Sequence, residues 1–246
     1  MKRALKWILL TLASLLVLAV ITVGGYFCVK GYLMYRRAVE RTPASTIGSD
    51  IRSRPGFVSY DELPDIYVEA VIAVEDKRFE SHCGIDIFAI LRALWVDVTT
   101  MSFAEGGSTI TQQLAKNELF TQEKRVERKI AEVFAAFAIE RTYSKEEIFE
   151  LYVNSIYFGN GYYGIHDAAM GYFGKSVSEL TDAEAVMLAG LPNAPSIYTP
   201  ERNPDLALRR TAVVLRRMVQ CGKLTGDEAD RIQSQAQDLF ADIPAA

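Results

Sequence analysis

The chain has 246 residues, of which half are apolar and about a quarter charged, so it can build one domain with a buried core and little more. Its formal net charge is −4, which argues against a nucleic-acid-binding protein, since such proteins carry a strong basic excess. The chain has only two histidines, which are too few for most histidine-based metal sites. Its three cysteines do not form a disulfide framework.

The first forty residues differ from the rest of the chain. Residues 7–29, WILLTLASLLVLAVITVGGYFCV, carry no charge, and about 20 apolar residues suffice for a helix to cross a bilayer. A buried core helix is rarely this long, and a cleaved signal peptide has a shorter apolar region followed by an A-x-A-like site. We therefore predict a retained transmembrane anchor at 7–29, after a short N-terminus at 1–6.

The charges around this run do not fix its orientation. Cations flank both ends, so the positive-inside rule gives no decision. They are Lys2, Arg3 and Lys6 before the run and Lys30, Arg36, Arg37 and Arg41 after it.

Residues 30–57 are predicted to form a juxtamembrane segment and linker. The stretch 41–56, RTPASTIGSDIRSRPG, is rich in Ser, Thr, Pro and Gly, a composition typical of connecting segments. We expect the folded domain to span 58–246.

Helical signals dominate this domain. Apolar spacing predicts helices over 61–76, 86–101, 125–141 and 183–191. Capping boxes mark helix starts: Ser144 with Glu147, Thr181 with Glu184, and Thr225 with Glu228. Asn203-Pro204 indicates another start, and glycines 159, 161 and 164 separate helical runs. Long alternating strand patterns are missing, so the sequence predicts an all-α domain of about eight to ten helices.

Two of the cysteines raise a question of pairing. Cys83 and Cys221 can pair only if the fold brings them together, while Cys28 lies in the anchor. Free cysteines acting as small hydrophobic residues are the interpretation we favour.

Carboxylates are the candidates for acid–base chemistry, because no G-x-S-x-G nucleophile motif accompanies the two histidines. Glu75 follows the apolar run AVIAV, and partial desolvation there is expected to raise its pKa toward that of a general base. The alternative is a solvated glutamate at a helix end.

Glu132 is the second candidate. It lies off the predicted apolar face of its helix, which carries Val126, Ile130, Val133, Phe134 and Phe137. Its own face carries Arg128, Ala135, Ala136 and Ile139, and the small alanines indicate close approach by another part of the protein. The alternative is a surface ion pair with Arg128.

A polar, glycine-containing stretch, GGSTITQQLAKN at 106–117, precedes a group of cations. These are Lys116, Lys124, Arg125, Arg128 and Lys129. Backbone N–H groups of a glycine-rich turn at a helix start favour anions, and a nearby Lys or Arg completes a phosphate site. The stretch is therefore interpreted as binding a phosphorylated or pyrophosphorylated group; a solvated helix face is the alternative.

Five stretches together resemble the peptidoglycan glycosyltransferase family, the transglycosylase module of penicillin-binding proteins. They are EDKRFESHCGID at 75–86, GGSTITQQLAKN at 106–117, RKIAE at 128–132, ELYVNSIYFGNGYYGI at 150–165 and AEAVMLAGLPNAPSIYTP at 183–200. The resemblance implies a lysozyme-like helical glycosyltransferase domain with one N-terminal transmembrane helix. It also implies polymerisation of lipid II outside the cytoplasm, with the N-terminus inside and the domain outside the plasma membrane.

The resemblance implies a role for individual residues. Glu75 matches the general base that activates the acceptor, and Glu132 matches a second glutamate near the donor's pyrophosphate and its divalent metal, Mg²⁺ or Mn²⁺. Other matching positions are implied to shape the site or bind substrate: Asp76, Phe79, Ser108, Thr109, Gln112, Gln113, Lys116, Lys124, Arg128, Lys129 and Asn154. Lys124 stands where many members carry arginine, so a bidentate phosphate contact becomes a point charge.

The expected partners are lipid II, the growing glycan chain and the membrane, together with penicillin-binding proteins and division or elongation proteins. No organic cofactor and no nucleic acid are expected.

The apolar helix at 86–101 is interpreted as dipping into the bilayer, with core packing as the alternative; the residues concerned are Leu91, Leu94, Trp95, Val98, Met101 and Phe103.

No S-x-x-K or K-T-G transpeptidase motif is found, so a monofunctional enzyme is expected. Two rival functions stay open. A lysozyme-like hydrolase or lytic transglycosylase also uses carboxylates in a helical sugar cleft, but has less need of a cationic phosphate site. The other rival is an inactive, membrane-anchored scaffold for cell-wall assembly.

Overall fold

The structure is a computed structural model that describes residues 2–100, 107–121 and 125–239. These residues form eleven α-helices: α1 Lys2–Arg41, α2 Ala44–Arg52, α3 Asp65–Glu75, α4 Ile87–Thr100, α5 Ile110–Leu119, α6 Val126–Glu140, α7 Lys145–Val153, α8 Ile165–Phe173, α9 Asp182–Gly190, α10 Pro204–Gln220 and α11 Gly226–Asp238. Short 3₁₀ helices lie at Tyr60–Glu62, Phe79–Ser81, Val177–Glu179 and Leu191–Asn193. The prediction of an all-α fold is confirmed.

The strands of the described residues form one small hairpin. Strand β1 (Tyr157–Gly159) pairs antiparallel with β2 (Tyr162–Tyr163). Asn160 and Gly161 have φ of 51° and 87°, and glycine and asparagine tolerate this left-handed region better than other residues. The glycines at 159, 161 and 164 therefore build a tight turn between α7 and α8.

Helix α1 is long and apolar enough to cross a membrane. Its apolar side chains are exposed along residues 7–29, except for the half-buried Phe27. Beyond this run α1 packs on α6, where a Cβ added to Gly31 would lie 2.6 Å from Ile130 Cβ. The rings of Tyr32 and Tyr35 lie 5.3 and 5.9 Å from that of Phe134. The last turns of α1 are thus part of the folded body.

The prediction of a linker over 41–56 is wrong for the residues of α2. Ile47 and Ile51 are fully buried in the main core. The Gly48 N–H donates to the Tyr143 hydroxyl at 2.8 Å, and Arg52 pairs with Glu150 at 2.9 Å. The Ser, Thr and Gly content of this stretch suggested a linker, but two isoleucines lie four residues apart on one helix face. Their burial is enough to fix the helix in the core.

Helix α9 forms the centre of the core. Its residues from Ala183 to Gly190 are all buried. The one carboxylate among them, Glu184, is paired with Lys175, and the other residues are apolar or glycine, so protein surrounds the helix. Helices α3, α8, α10 and α11 pack around it. The predicted capping box of Thr181 and Glu184 starts this helix, and Pro192 follows in the 3₁₀ helix that leads away from it.

The apolar face predicted for α6 is not the face that packs against the core. Its buried residues are Ala131, Glu132, Ala135, Ala136 and Ile139, so the core-facing side is the one that carries Glu132. The other apolar face packs on α1 instead. The expected close approach at the alanines is observed, since a Cβ on Gly84 would lie 3.1 Å from the Ala136 carbonyl carbon.

Helix α4 exposes large apolar side chains. Trp95 is 71% exposed, and Ile87, Phe88 and Leu91 are exposed as well, so core packing is wrong for Leu91 and Trp95. The side chains of Leu94 and Val98, and residues Met101 and Phe103, lie outside the described part of the structure.

The cysteines Cys28, Cys83 and Cys221 are free and exposed, so none acts as a buried hydrophobic residue.

Candidate active site

A cleft of about 430 Å³ opens between α3, α5, α6 and α10. The 3₁₀ helix after α9 contributes Pro192 and Asn193 to its wall. Seven residues predicted from the sequence line it: Glu75, Ser108, Gln112, Gln113, Lys116, Lys129 and Glu132. Positions far apart in the chain therefore meet at one site.

Glu75 is the last residue of α3, and its side chain is only 11% exposed. Asp76 leaves helical geometry with φ −155° and ψ 73°, which ends the helix. The Gln113 amide on α5 donates to Glu75 Oε2 at 2.8 Å. The Arg210 guanidinium on α10 lies 3.6 Å from Glu75 Oε1. The carboxylate is thereby held from two sides.

Asp76 is buried and holds the start of α5. Its Oδ2 accepts from the Ile110 N–H at 3.0 Å, one of the N–H groups that a helix start leaves without an intrahelical partner. Thr109 and Gln112 complete a capping box at this start, and the Thr109 hydroxyl donates to the Gly84 carbonyl at 2.7 Å. These predicted site residues fix the position of α5, and with it that of Gln113 and Lys116.

His82 was missed by sequence reasoning. Its Nε2 lies 2.8 Å from Asp76 Oδ2, and its Nδ1 accepts from the Gly84 N–H at 3.1 Å. Because Nδ1 accepts, Nε2 is the donor to Asp76. The spacing of His82 six residues after Asp76, within one predicted motif, was the available signal.

Glu132 is almost fully buried, with its side chain 1% exposed. An isolated carboxylate at this depth is costly unless it is paired. Arg128 donates to one oxygen, and Lys129 Nζ lies 3.0 Å from the other. The Lys129 ammonium also donates to the Ser108 hydroxyl at 2.6 Å. Glu132 thus fixes two cations that the sequence predicted to bind phosphate.

The cleft carries more positive than negative charge. Two carboxylates, Glu75 and Glu132, face six cationic side chains: Lys77, Arg92, Lys116, Lys129, Arg210 and Arg217. Burial lowers the pKa of the Lys116 ammonium below its usual value, with Glu132 acting in the opposite direction. Burial likewise lowers the pKa of Arg210. Cations that have already lost part of their hydration interact strongly with an anion that enters.

Arg210 and Arg217 were also missed by sequence reasoning. They are seven residues apart on α10, so they share one helix face. Arg210 donates to the Gly190 carbonyl at 3.1 Å, which orients it toward Glu75. Cations with a spacing of seven on an amphipathic helix were the signal available in the sequence.

Five of the predicted residues that the structure describes do not line the cleft. Asp76 and Thr109 hold the start of α5, Arg128 pairs with Glu132, and Phe79 and Asn154 are buried elsewhere. Phe79 is buried in the core, with its ring 6.3 Å from that of Phe149. The Asn154 amide is buried, donates to the Val58 and Glu150 carbonyls at 2.8 Å, and accepts from the Val58 N–H. These contacts give Asn154 a structural role, and its predicted substrate contact stays a prediction. Lys124 lies outside the described residues.

The family assignment follows from comparison with known proteins. The profile of the family described as Transglycosylase matches residues 42–219. The chain belongs to this family. The match begins just before α2, in agreement with the place of that helix in the core.

Individual members of the transglycosylase family differ in how much of their length corresponds to this chain. A protein of Cupriavidus necator named "Putative transglycosylase" is 41% identical over 217 residues, which are 88% of this chain and 92% of that protein. Penicillin-binding protein 1A of Aquifex aeolicus is 48% identical over 172 residues, or 70% of this chain. Penicillin-binding protein 1F of Bacillus subtilis is 45% identical over 74% of this chain. The chain spans about a quarter of the length of these two penicillin-binding proteins.

Proposed function

We propose that this transglycosylase-family protein polymerises lipid II into β-1,4-linked glycan strands and releases undecaprenyl pyrophosphate. The observation that carries the proposal is the placement of Glu75 and Glu132 in one cleft with an excess of cations. The reaction needs a base for a sugar hydroxyl and positive charge for a pyrophosphate, and both are present there.

Glu75 acts as the base on the acceptor. Its carboxylate takes the proton from the 4-hydroxyl of the acceptor GlcNAc as that oxygen attacks C1 of the donor MurNAc. The Gln113 amide donates to Glu75 Oε2 and thereby fixes the plane of the carboxylate. The other oxygen, Oε1, makes no contact with this amide. A carboxylate held in this way loses little conformational freedom when the acceptor arrives.

The cations act on the donor. The bond from C1 to the pyrophosphate oxygen breaks, and the pyrophosphate leaves with the bonding electron pair. Lys116 and Lys129 neutralise the charge that develops on it, so departure does not require a strong acid. Attack from the opposite face converts an α-linked donor into a β-1,4 bond. Glu132 contributes by keeping Arg128 and Lys129 in place.

The described residues do not fit a resident divalent metal. They contain no group of three or more His, Cys, Asp or Glu side chains arranged to hold an ion, and Glu132 is already held by two cations. The prediction of Mg²⁺ or Mn²⁺ with the donor pyrophosphate stays a prediction.

The placement in the cell follows from the same proposal. We propose a single-pass protein of the plasma membrane, with α1 as anchor, residues 1–6 in the cytoplasm and the catalytic domain outside. The contact of Gly31 on α1 with Ile130 on α6, beside the cleft residues Lys129 and Glu132, supports access of the cleft to a lipid-linked substrate. Monofunctionality and interactions with penicillin-binding, division or elongation proteins stay predictions.

The product distinguishes the three candidate functions. Purified full-length protein is incubated in detergent with labelled lipid II, and the products are resolved on a gel before and after lysozyme digestion. We expect a ladder of glycan that lysozyme removes. A parallel incubation contains preformed labelled glycan instead of lipid II. Shortening of that glycan without a ladder from lipid II would favour the hydrolase, and a folded protein with neither activity would favour the scaffold.

A further inference from the structure

A second cavity of about 500 Å³ lies outside the catalytic cleft, between the last turns of α1 and the first turn of α6. The α5 end contributes Leu119 and Phe120 to its wall. The mechanism above uses neither these residues nor the α1 side of this cavity, which we call the α1–α6 cavity.

The α1–α6 cavity is strongly basic. Five cations line it, against one carboxylate, Glu127. They are Lys30, Arg37, Arg41, Arg125 and Arg128. The spacing of Lys30, Arg37 and Arg41 places them on one face of α1, with Leu33 and Met34 between them. The cavity therefore offers positive charge next to an apolar surface.

The start of α6 strengthens the attraction for an anion. The helix begins at Val126, directly after Arg125 at its N-cap. Arg125, Glu127 and Arg128 bring this first turn to the cavity wall. The dipole of a helix start favours negative charge.

The position along α1 identifies the class of anion. A helix rises about 1.5 Å per residue, so Leu33 and Met34 lie about 6–8 Å past the end of the apolar run at Val29. The headgroup layer of a bilayer extends about 5–8 Å beyond its hydrocarbon on each side. The apolar part of the cavity is thus level with lipid headgroups. The backbone of Arg37 and Arg41 lies about 12 and 18 Å past Val29, on the solvent side of the headgroups, and their side chains tilt toward the N-terminal end of the helix and thus toward the membrane.

We propose that the α1–α6 cavity binds the phosphate headgroup of an anionic phospholipid, with the guanidinium groups of Arg37 and Arg41 on the phosphate and Leu33 and Met34 on the glycerol end. Basic pockets between transmembrane helices bind anionic headgroups on the cytoplasmic or matrix side of other membrane proteins, and the same charge-assisted contacts to phosphate can form at the outer surface. The inference rests on the proposed membrane crossing of α1 and not on the polymerase reaction.

Arg128 connects the α1–α6 cavity with the catalytic cleft, so a bound lipid can affect the cleft. It lines the α1–α6 cavity and also donates to Glu132, whose carboxylate faces the cleft. A phosphate in the cavity competes with Glu132 for this guanidinium. The bilayer composition is thereby coupled to the carboxylate that holds Lys129.

Lipid binding is measured by native mass spectrometry of the detergent-solubilised full-length protein, titrated with phosphatidylglycerol or phosphatidylcholine. Arg37→Gln is compared with Arg36→Gln, which removes the same charge one residue away but does not line the cavity. We expect wild type to bind phosphatidylglycerol at least about tenfold more tightly than phosphatidylcholine, since charge-assisted contacts to phosphate are strong. Arg37→Gln should remove most of this preference, and Arg36→Gln should change it less than about twofold.

Three outcomes would overturn the proposal: equal affinity for the two lipids, equal losses in the two variants, or displacement of phosphatidylglycerol by much tighter binding of undecaprenyl pyrophosphate. The last would assign the cavity to the lipid pyrophosphate instead. Arg125→Gln replaces Arg37→Gln if circular dichroism shows that the latter is unfolded. No step uses lipid II turnover, so an inactive polymerase leaves the result interpretable.

Discussion

The Gln113 amide nitrogen lies 2.8 Å from Glu75 Oε2, and this hydrogen bond joins the end of α3 to the middle of α5. Asp76, the next residue after Glu75, holds the start of the same helix through the Ile110 N–H. Two consecutive carboxylates therefore connect the same pair of helices, one facing the cleft and one facing the core.

Gln113→Leu should lower kcat by about 10- to 100-fold while KM changes little, because it frees the Glu75 carboxylate to rotate without removing a charge from the donor site. Steady-state kinetics on lipid II measure this. The matched control is Gln220→Leu, which changes another glutamine of the cleft wall. Equal effects of the two substitutions would show that Gln113 has no special role in orienting Glu75.

Lys116 should set an alkaline limit to activity. Burial lowers the pKa of its ammonium, so the positive charge is lost at a pH below the usual 10.5 for lysine. Activity falls as pH rises through that lowered pKa, because the neutral amine no longer stabilises the pyrophosphate. Lys116→Arg keeps its charge, and the alkaline limb of its kcat/KM profile should move to higher pH. An unchanged limb would remove Lys116 from the donor site.

The same lowered pKa affects stability in a known direction. Above the folded pKa of Lys116 and below 10.5, the unfolded chain binds more protons than the folded one, so this group makes stability rise with pH. Urea unfolding at several alkaline pH values measures the slope, and Lys116→Met should reduce it. An identical slope in the variant would contradict the assignment.

Asp76→Ala should destabilise the protein by about 2–4 kcal/mol, because it leaves the buried Ile110 N–H and His82 Nε2 without their acceptor. Asp76→Asn keeps one acceptor oxygen and should cost less. The free energy of unfolding in urea measures both, with exposed Asp61→Ala as control. A change below about 0.5 kcal/mol for Asp76→Ala would contradict the structural role.

Ile47→Ala tests whether α2 belongs to the core. Deleting a buried isoleucine side chain costs about 2–5 kcal/mol, and Ile47 is 1% exposed. Ser49→Ala, on the exposed side of the same helix, should change the unfolding free energy by less than about 0.5 kcal/mol. If both substitutions changed the unfolding free energy by similar small amounts, α2 would be a linker and not part of the core.

The sequence was sufficient for most of the local structure. The capping boxes at Ser144, Thr181 and Thr225 start helices as predicted, because the motif names both partners of each hydrogen bond. The helix predicted over 61–76 begins later, at Asp65, since Pro64 precedes its first turn.

Tertiary contacts explain the predictions that were wrong or missing. On α6 the larger apolar side chains meet α1, while the smaller alanines and Glu132 face the core. Helix periodicity finds two faces but does not say which partner each one meets. Arg210 could not be assigned to Glu75 from sequence because 135 positions separate them, and only the packing of α10 on α3 brings them within 3.6 Å.

The central claim, that Glu75 is the base of a glycan polymerase, is tested most directly by the initial rate of lipid II polymerisation in Glu75→Gln. Glu69→Gln is the matched control, since it changes an exposed glutamate of the same helix that pairs with Lys223. We expect Glu75→Gln to lose at least about 100-fold in rate, with its folded state and lipid II affinity retained, and Glu69→Gln to polymerise like wild type. Polymerisation by Glu75→Gln at more than about a third of the wild-type rate would contradict the claim.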